Sequence, residues 1–499
     1  MTYQGIHCKR RIVLSIILNH VRFNSTAAFI LYTQEVFYMF CKAKISLLAS
    51  ILTVGFIFCT IGVFYPGNAL ASGVIFEVAA DIPVALLGES NRVTVRALVR
   101  PDGKAERKRI PLAVALVLDK SGSMLSENRI ENAKRGAMEA MERLGAEDVA
   151  TLVVYDTKAS VKVKPMSAAD KRVFSSAIFS IKASGSTALY DGVRLGAEQI
   201  LPFVKDGYVP RIILLSDGLA NVGPSSTQEL ARFGRALAEQ EMTITTIGLG
   251  LDYNEDLMTA LAAGSGGNAY FARHAQSLTE IFARDIMDAT TLSARRVKVT
   301  LTCFSDVKPI GTIGRKASKN DGTTIEVNID NLYGDEKYAL FEIEIPATMK
   351  NAEKPTVLDA AALKLEYLDP ATDSVIVLEA GLKLTLVTDS SEVEKNRSKE
   401  VVAQAAIARN AEIREEAIRL ADEGRSDEAA QILRARVEAL TQMNTTVMEP
   451  EIESEAQEFE ALSVVLLEKK AMSSEVRKNA LNQAYMKANQ QTPISGERK

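Results

Sequence analysis

The stretch "IPLAVALVLDKSGSM" (110–124) joins an uninterrupted apolar run to an aspartate and two serines. An apolar run without alternation is typical of a strand buried on both faces, as in a parallel sheet. The polar end allows two interpretations. Asp119, Ser121 and Ser123 either cap the helix that follows or form half of an oxygen-lined cation site.

Strand and helix patterns alternate downstream of this run. Further strands are predicted at "VATLVVY" (149–155), "RIILLSDG" (211–218), "TITTIGLG" (243–250) and "AYFA" (269–272), with "ASVKVK" (159–164) as a hairpin partner. Helices are predicted at 128–144, 226–240 and 254–263. This alternation predicts an α/β domain over 109–290, with a doubly wound, mostly parallel sheet covered on both sides.

In the segments on either side of this domain, apolar and polar residues alternate with a period of two. "RVTVRALV" (92–99) predicts a half-buried strand, and similar alternation recurs within 294–388. A segment as short as 72–108 does not easily fold alone. We therefore expect it to pair with 294–388 in one β-sandwich that carries the α/β domain as an insertion. Residues 392–490 are helical by pattern, with a hairpin turn at "DEGRSDEAA" (422–430), and form a helical cap or docking arm.

The N-terminus has the features of an export signal. Lys42 and Lys44 precede the apolar run 45–64, and Ala69 and Ala71 form a small-residue cleavage site. Residues 1–71 are therefore either a signal peptide cut after Ala71 or an uncut membrane anchor. Residues 1–38 look foreign to a signal, and Met39 is a natural start. The expected location is the periplasm, the cell envelope or the exterior, with or without an anchor.

Two function classes find little support in the composition. The formal net charge is -4, which gives no indication of nucleic-acid binding. Of the three histidines only His274 follows the signal, and no G-x-S-x-G, H-E-x-x-H or phosphate-binding loop occurs. We therefore expect no enzyme. Cys303 is the single cysteine after the signal and is expected in a core.

Oxygen ligands converge on one predicted edge of the sheet. In open α/β sheets, ligands bind at the carboxyl ends of the strands. Asp119, Ser121, Ser123, Thr187 in "GSTALYDG" (185–192) and Asp217 would meet there. Two carboxylates and three hydroxyls suit a hard divalent cation. Because hydroxyls are neutral, the cation stays electrophilic enough to accept a further carboxylate.

Neighbouring residues have supporting roles in this interpretation. Gly122 and Gly218 are expected to allow tight turns. Asp156 and Asp191 are expected to cap helices or support the ligands, and Asn221 to fix its loop. Lys120 is expected to point into solvent.

The three segments "VLDKSGSM" (117–124), "GSTALYDG" and "LLSDGLANVG" (214–223) resemble the loops of the metal-ion-dependent adhesion site in von Willebrand factor type A domains. The resemblance implies that Ser121, Ser123 and Thr187 ligate Mg²⁺ directly, with Mn²⁺ or Ca²⁺ as alternatives. It implies that Asp119 and Asp217 hold the cation directly or through waters. The flanks resemble exported bacterial proteins with such a core and, more distantly, inter-alpha-trypsin inhibitor heavy chains.

These observations favour an exported, cation-dependent, adhesion-type module that binds a protein presenting an Asp or Glu carboxylate. The alternative is a structural cell-envelope scaffold. It would act through the sandwich and the helical arm, and the metal would only stabilise the loops.

Overall fold

The computed structural model describes residues 73–103, 109–217, 219–272, 275–304, 306–347 and 356–491, with the backbone alone at residues 275 and 276. The predicted signal or anchor segment (1–71) lies outside these ranges, as do Gly218 and His274. Within the described ranges, no helix is both long and apolar enough to cross a membrane.

The α/β domain begins at the quoted stretch. Its strands and helices are β4 (Leu112–Asp119), α1 (Arg129–Arg143), β5 (Val149–Tyr155), β6 (Ala159–Ser167), α2 (Lys171–Phe179), α3 (Leu189–Val204), β7 (Val209–Ser216), α4 (Thr227–Ala238), β8 (Thr243–Leu249), α5 (Glu255–Gly264), β9 (Ala269–Ala272) and α6 (Ala275–Thr290). A 3₁₀ segment, Gly122–Asn128, links β4 to α1. No pattern in the sequence analysis covered helix α6.

These strands form a six-stranded sheet in the order β6-β5-β4-β7-β8-β9. All pairings are parallel except that of β6 with β5. Every residue of β4 is buried, as the apolar run predicts. Alternate residues of β4 enter two cores: Leu116 faces the side of α1, α2 and α6, and Val117 faces the side of α3, α4 and α5. The strand order reverses at β4, so its carboxyl end lies at the topological switch point.

Two sheets enclose a separate core. Their strands are β1 (Val74–Ala80), β2 (Val84–Leu86), β3 (Asn91–Pro101), β10 (Ala294–Cys303), β11 (Lys308–Ile313), β12 (Lys319–Asn320), β13 (Thr324–Leu332), β14 (Lys337–Ile345), β15 (Thr356–Leu368) and β16 (Val375–Val387). The sheets have the orders β1-β3-β14-β11 and β12-β13-β10-β15-β16-β2, and they are antiparallel except for the parallel pairing of β2 with β16. Inward residues of both sheets, such as Val95 and Val299, belong to one apolar cluster. The fold class predicted from the sequence is confirmed: an α/β domain, a β-sandwich and a helical region.

Strand β3 joins the N-terminal segment to the later strands, with Val95 opposite Phe341 of β14. The α/β domain therefore lies within the sandwich in chain order. Cys303 is buried in this core, as expected, and burial raises the pKa of its thiol to about 11.

The prediction of a half-buried β3 was wrong, because residues 93–99 are buried throughout. The outer face of β3 is covered by the helical region. Arg96 pairs there with Glu400 and donates to Gln404 Oε1 at 2.9 Å, and Leu98 packs with Ala408. The polar residues of β3 thus alternate with apolar ones because its outer face makes ionic and polar contacts with the helical region, not because that face is exposed to solvent.

The helical region consists of α7 (Ser390–Lys395), α8 (Lys399–Asp422), α9 (Ser426–Val447), α10 (Pro450–Lys469) and α11 (Ser474–Ala488). Helices α8 and α9 meet at Gly424, whose φ of +79° suits a glycine at a helix end. Helix α8 covers the sandwich, and α11 packs against the α/β domain, where Tyr485 donates to the Gly267 carbonyl at 2.6 Å. The predicted helical arm therefore contacts both other parts of the chain.

Candidate metal centre

Asp119 ends β4 and is fully buried at the carboxyl edge of the sheet. Strands β4 and β7 run parallel with Leu118 opposite Leu215, which brings Ser216 beside Asp119. Ser216 Oγ donates to Asp119 Oδ2 at 2.6 Å, and the Ser121 amide donates to Oδ1 at 2.8 Å. Asp119 is thus fixed by hydrogen bonds from two strand ends.

The two serines connect the first loop to the end of β7. Ser121 Oγ and Ser123 Oγ are 3.0 Å apart, and Ser123 Oγ donates to Asp217 Oδ1 at 2.8 Å. Ser121 and Asp217 are buried, whereas Ser123 is exposed. Four of the five predicted ligands therefore lie together, with Ser123 open to solvent.

The loop that carries Thr187 is held against both of the others. The Gly122 amide donates to the Gly185 carbonyl at 3.0 Å, and the Thr187 amide donates to Asn221 Oδ1 at 2.8 Å. Asn221 therefore fixes its loop, as predicted. Thr187 itself is buried, and among the described residues no hydrogen bond links its hydroxyl to the other four predicted ligands.

The glycine that this arrangement requires is Gly185 rather than Gly122. Gly185 has a φ of +79°, and a Cβ there would approach Thr157 Oγ1 to 2.8 Å. Gly122 does not have a positive φ, and a Cβ on it would meet the Gly185 carbonyl at an ordinary 3.4 Å. The expectation that Gly122 permits the tight turn was therefore wrong.

Arg129 is a site residue that the sequence analysis missed. Its guanidinium is almost buried and donates to Asp217 Oδ2 at 3.0 Å. It also pairs with Asp252 Oδ2 at 2.7 Å and with Glu127 Oε2 at 3.2 Å. Glu127 and Asn128 both have positive φ angles, 52° and 56°, and this bend precedes Arg129. Arg129 begins an ordinary amphipathic helix, so no local pattern marked it.

Burial dominates the electrostatics of the two carboxylates. It raises the pKa of Asp119 to about 6. It also raises the pKa of Asp217, although hydrogen bonds from Arg129 and Ser123 oppose this shift. Burial thus outweighs the opposing hydrogen bonds at both carboxylates, even though Asp217 pairs with Arg129. A cation beside them would favour their ionised forms.

The donor set fits a hard cation. Across the described ranges, no three His, Cys, Asp or Glu side chains cluster as metal ligands. A cation at this edge would therefore depend on hydroxyl oxygens as well as carboxylates. Mg²⁺ and Ca²⁺ prefer such oxygen ligands, and Mg²⁺ keeps part of its water shell.

The neighbouring charged residues hold the loops. Lys120 does not point into solvent, contrary to the prediction: it is largely buried and pairs with Asp156. Partial burial raises the pKa of Asp156, but the Lys120 hydrogen bond and the Lys158 amide lower it more, and the net pKa is below the usual value. Asp191 lies in the first turn of α3 and pairs with Arg194 at 3.4 Å. Asp156 thus supports the loop of the predicted ligands, as expected. Within the described residues, by contrast, Asp191 pairs only inside its own helix and neither caps it nor forms a hydrogen bond with the predicted ligands.

Comparison with known families identifies the α/β domain. Residues 113–284 match the model of the von Willebrand factor type A domain, so the chain carries a domain of that family. Such domains generally mediate protein–protein interactions, and they typically bind a divalent cation.

Relatives match over different shares of their length. An uncharacterized protein of Synechocystis sp. is 24% identical over 289 residues, 56% of this chain and 67% of that protein. The uncharacterized protein YfbK of Escherichia coli is 27% identical over 39% of this chain and 34% of its own. Human inter-alpha-trypsin inhibitor heavy chain H4 is 28% identical over 32% of this chain, but only 18% of its own length is matched.

Two solved structures share the wider architecture. A von Willebrand factor type A protein from Catenulispora acidiphila superposes with a TM-score of 0.62 at 15% identity, covering 85% of this chain and 99% of its own. The ArnB paralog VWA2 from Sulfolobus acidocaldarius gives a TM-score of 0.52 at 16% identity, covering 83% and 98%. Because both cover more than the α/β domain, the shared fold includes much of the flanking structure.

Proposed function

We propose that this chain binds a divalent cation, Mg²⁺ first, through Asp119, Ser121, Ser123, Thr187 and Asp217. The cation would in turn bind a carboxylate of a protein partner. One observation carries the proposal: the hydrogen-bonded series Ser121–Ser123–Asp217 lies beside buried Asp119 at the switch point of the sheet, with Ser123 exposed.

The chemistry of the donors supports binding rather than turnover. Two carboxylates offset the charge of a divalent cation, and neutral hydroxyls leave it able to accept a further anionic oxygen. None of the five donors is a histidine, the commonest general base, so a non-enzymatic role is part of the proposal. Export to the cell envelope or exterior is also part of it and rests on the apolar segment before residue 72.

Isothermal titration calorimetry with Mg²⁺ on the full chain tests the metal site. The wild type is expected to bind, and Asp119→Ala to lose the binding heat. Asp191→Ala is the matched control: it removes the same charge from the first turn of α3, where the side chain is 46% accessible. Equal Mg²⁺ binding by the wild type and Asp119→Ala would contradict the proposal.

A structural scaffold is the second candidate, and the Arg129–Asp217 pair favours it. This contact neutralises Asp217 without a metal. Chelation separates the two functions. If EDTA lowers the melting temperature but proteins from native membranes are retained equally with Mg²⁺ and with EDTA, the scaffold function is supported. If retention needs Mg²⁺ and is lost in Asp119→Ala, cation-dependent binding is supported.

A further inference from the structure

Exposed leucines are concentrated around the candidate metal centre. Among the described residues only four leucines are exposed: Leu125 at 69%, Leu219 at 56%, Leu201 at 41% and Leu251 at 40%. Three of these four, Leu125, Leu219 and Leu251, are close in sequence to residues of the centre. The fourth, Leu201, lies near the far end of α3.

Leu125 and Leu219 are close in sequence to two hydrogen-bonded residues of the candidate metal centre. Leu125 comes two residues after Ser123, and Leu219 two residues after Asp217, and the Ser123 hydroxyl donates to Asp217 at 2.8 Å. Two residues span at most about 7 Å. Both leucines therefore lie within a short distance of the place where the cation would be bound.

Leu251 is linked to the rim of the candidate metal centre, the exposed surface around Asp217, through its neighbour Asp252. It precedes Asp252, which pairs with Arg129 at 2.7 Å, and Arg129 in turn donates to Asp217 at 3.0 Å. Single exposed leucines are ordinary on protein surfaces. Here three of them lie close in sequence to residues of one polar edge, beside the proposed ligands.

The charge at this rim restricts what can cover it. Glu127 and Asp252 are exposed there, at 74% and 67%, and Asp217 lies beneath them. Without a cation this edge repels an acidic partner. With a divalent cation bound, it attracts one carboxylate at the cation, while the surrounding acids disfavour further negative charge.

From this arrangement we infer the chemistry of the partner. It is a protein segment in which one Asp or Glu is flanked by apolar side chains. The carboxylate binds the cation, and its apolar neighbours cover Leu125 and Leu219. This inference rests on the proposed function and specifies its partner class. Specificity then comes from the leucines, because the cation accepts any accessible carboxylate.

A phage-displayed library of random linear peptides, selected on the full chain in Mg²⁺, tests the inference. The expected sequences contain an acidic residue with apolar residues beside it. A synthetic peptide from the selection should bind about tenfold more weakly to Leu125→Ser and to Leu219→Ser, because each change removes apolar contact area. Leu201→Ser is the control and should bind as the wild type does. Unchanged melting temperatures verify that all three variants fold.

The outcomes separate this inference from the proposed function. Mg²⁺-dependent acidic peptides without apolar neighbours, or equal affinity for the leucine variants and the wild type, would overturn the inference and leave cation-dependent binding intact. Peptides that bind equally well in EDTA would count against the proposed function itself. If titration shows the cation bound but no Mg²⁺-dependent peptide is selected, the inferred partner chemistry is wrong.

Discussion

Arg129 donates to Asp217 Oδ2 at 3.0 Å, while the other oxygen of the same carboxylate accepts from Ser123 at 2.8 Å. The Asp217 carboxylate therefore accepts hydrogen bonds from the Arg129 guanidinium and from Ser123, which is itself a predicted cation ligand. A buried carboxylate without a counter-charge is strongly unfavourable. Arg129 thus stabilises the Asp217 carboxylate and would compete for it with the proposed cation.

Replacing Arg129 separates these two effects. Arg129→Met leaves buried Asp217 unpaired, so the metal-free free energy of unfolding should fall by about 3–5 kcal/mol. The rise in melting temperature on adding Mg²⁺ should be larger than in the wild type, because the cation replaces the missing charge. Differential scanning fluorimetry with and without Mg²⁺ measures both. Arg135→Met, at an exposed position of α1, is the control. An unchanged Mg²⁺ shift in Arg129→Met would show that Asp217 is not a ligand.

Asn221 should control cation affinity through the Thr187 loop. Its Oδ1 accepts from the Thr187 amide at 2.8 Å. Removing a group that orients a metal ligand typically weakens metal binding 10–100-fold, so we expect about tenfold weaker Mg²⁺ binding by Asn221→Ala. Asn221→Asp keeps the acceptor oxygen and should restore most of the affinity. Equal affinity in the wild type and Asn221→Ala, measured by calorimetry, would mean that Thr187 does not bind the cation.

Helix α11 should be held to the α/β domain by Arg477 and Lys478, which both pair with Glu255, and the more buried of the two is Lys478. Its ammonium donates to the Tyr253 carbonyl at 2.6 Å, pairs with Glu255 and lies 4.2 Å from the centre of the Tyr253 ring. Burial raises the pKa of Glu255, but the hydrogen bond from Lys478 lowers it further, and the net pKa is below the ordinary value. Glu255 is therefore ionised at neutral pH.

A double-mutant cycle of Lys478→Met and Glu255→Gln should give a coupling energy of about 2 kcal/mol in urea denaturation. The control is the exposed pair Lys470–Asp427, with side chains 60% and 72% accessible. Its cycle, Lys470→Met and Asp427→Asn, should give less than about 1 kcal/mol. Similar coupling energies for the two pairs would show that the buried Lys478–Glu255 pair contributes no more than an exposed one.

Lys337 should make stability depend on pH above neutrality. Its ammonium donates to the carbonyls of Asn489 and Gln490, each at 2.7 Å. Burial, and then the nearby charge of Arg315, lower its pKa from 10.5 to about 7. Between these two values the unfolded chain binds a proton that the folded chain has released. The free energy of unfolding therefore rises with pH in this window, by up to about 1.4 kcal/mol per pH unit.

Lys337→Met lacks this contribution, so the wild type should gain stability relative to the variant between pH 7 and 9. The pKa of Lys487 is also lowered, to about 8, but this residue is common to both proteins and cancels in the difference. Lys319→Met removes an exposed lysine and should show a constant difference from the wild type. Parallel pH profiles for the wild type and Lys337→Met would contradict the assignment.

Local features were predictable because they depend on neighbours in sequence. Strands β5 and β9 coincide with the patterns at 149–155 and 269–272, and α1, α4 and α5 begin within a residue or two of their predicted starts. Apolar period and helix caps are set over a few residues, which explains this agreement. Where a distant segment supplied the environment, prediction failed: β3 was expected to be half-exposed and is covered by α8.

The candidate metal centre likewise combines features that the sequence predicted with contacts that it did not. Its five oxygen donors were readable as residues that follow strands or lie in the intervening loop, and their function as a cation site stays a prediction. The sequence did not indicate that Lys120 pairs with Asp156. Nor did it indicate that Gly185, rather than Gly122, has the left-handed backbone conformation that favours glycine. These contacts join residues from different loops, and no single segment contains enough information to specify them.

Residue spacing and apolar period encode the order of strands and helices, the fully buried strand β4 and the set of oxygen donors at its end. The surroundings of that edge depend instead on the packing of distant segments. This packing placed Arg129 and Asp252 beside Asp217 and left Leu125 and Leu219 exposed around them. The physical reason is that burial and charge pairing depend on which distant segments pack together, and these properties determine what the edge can bind.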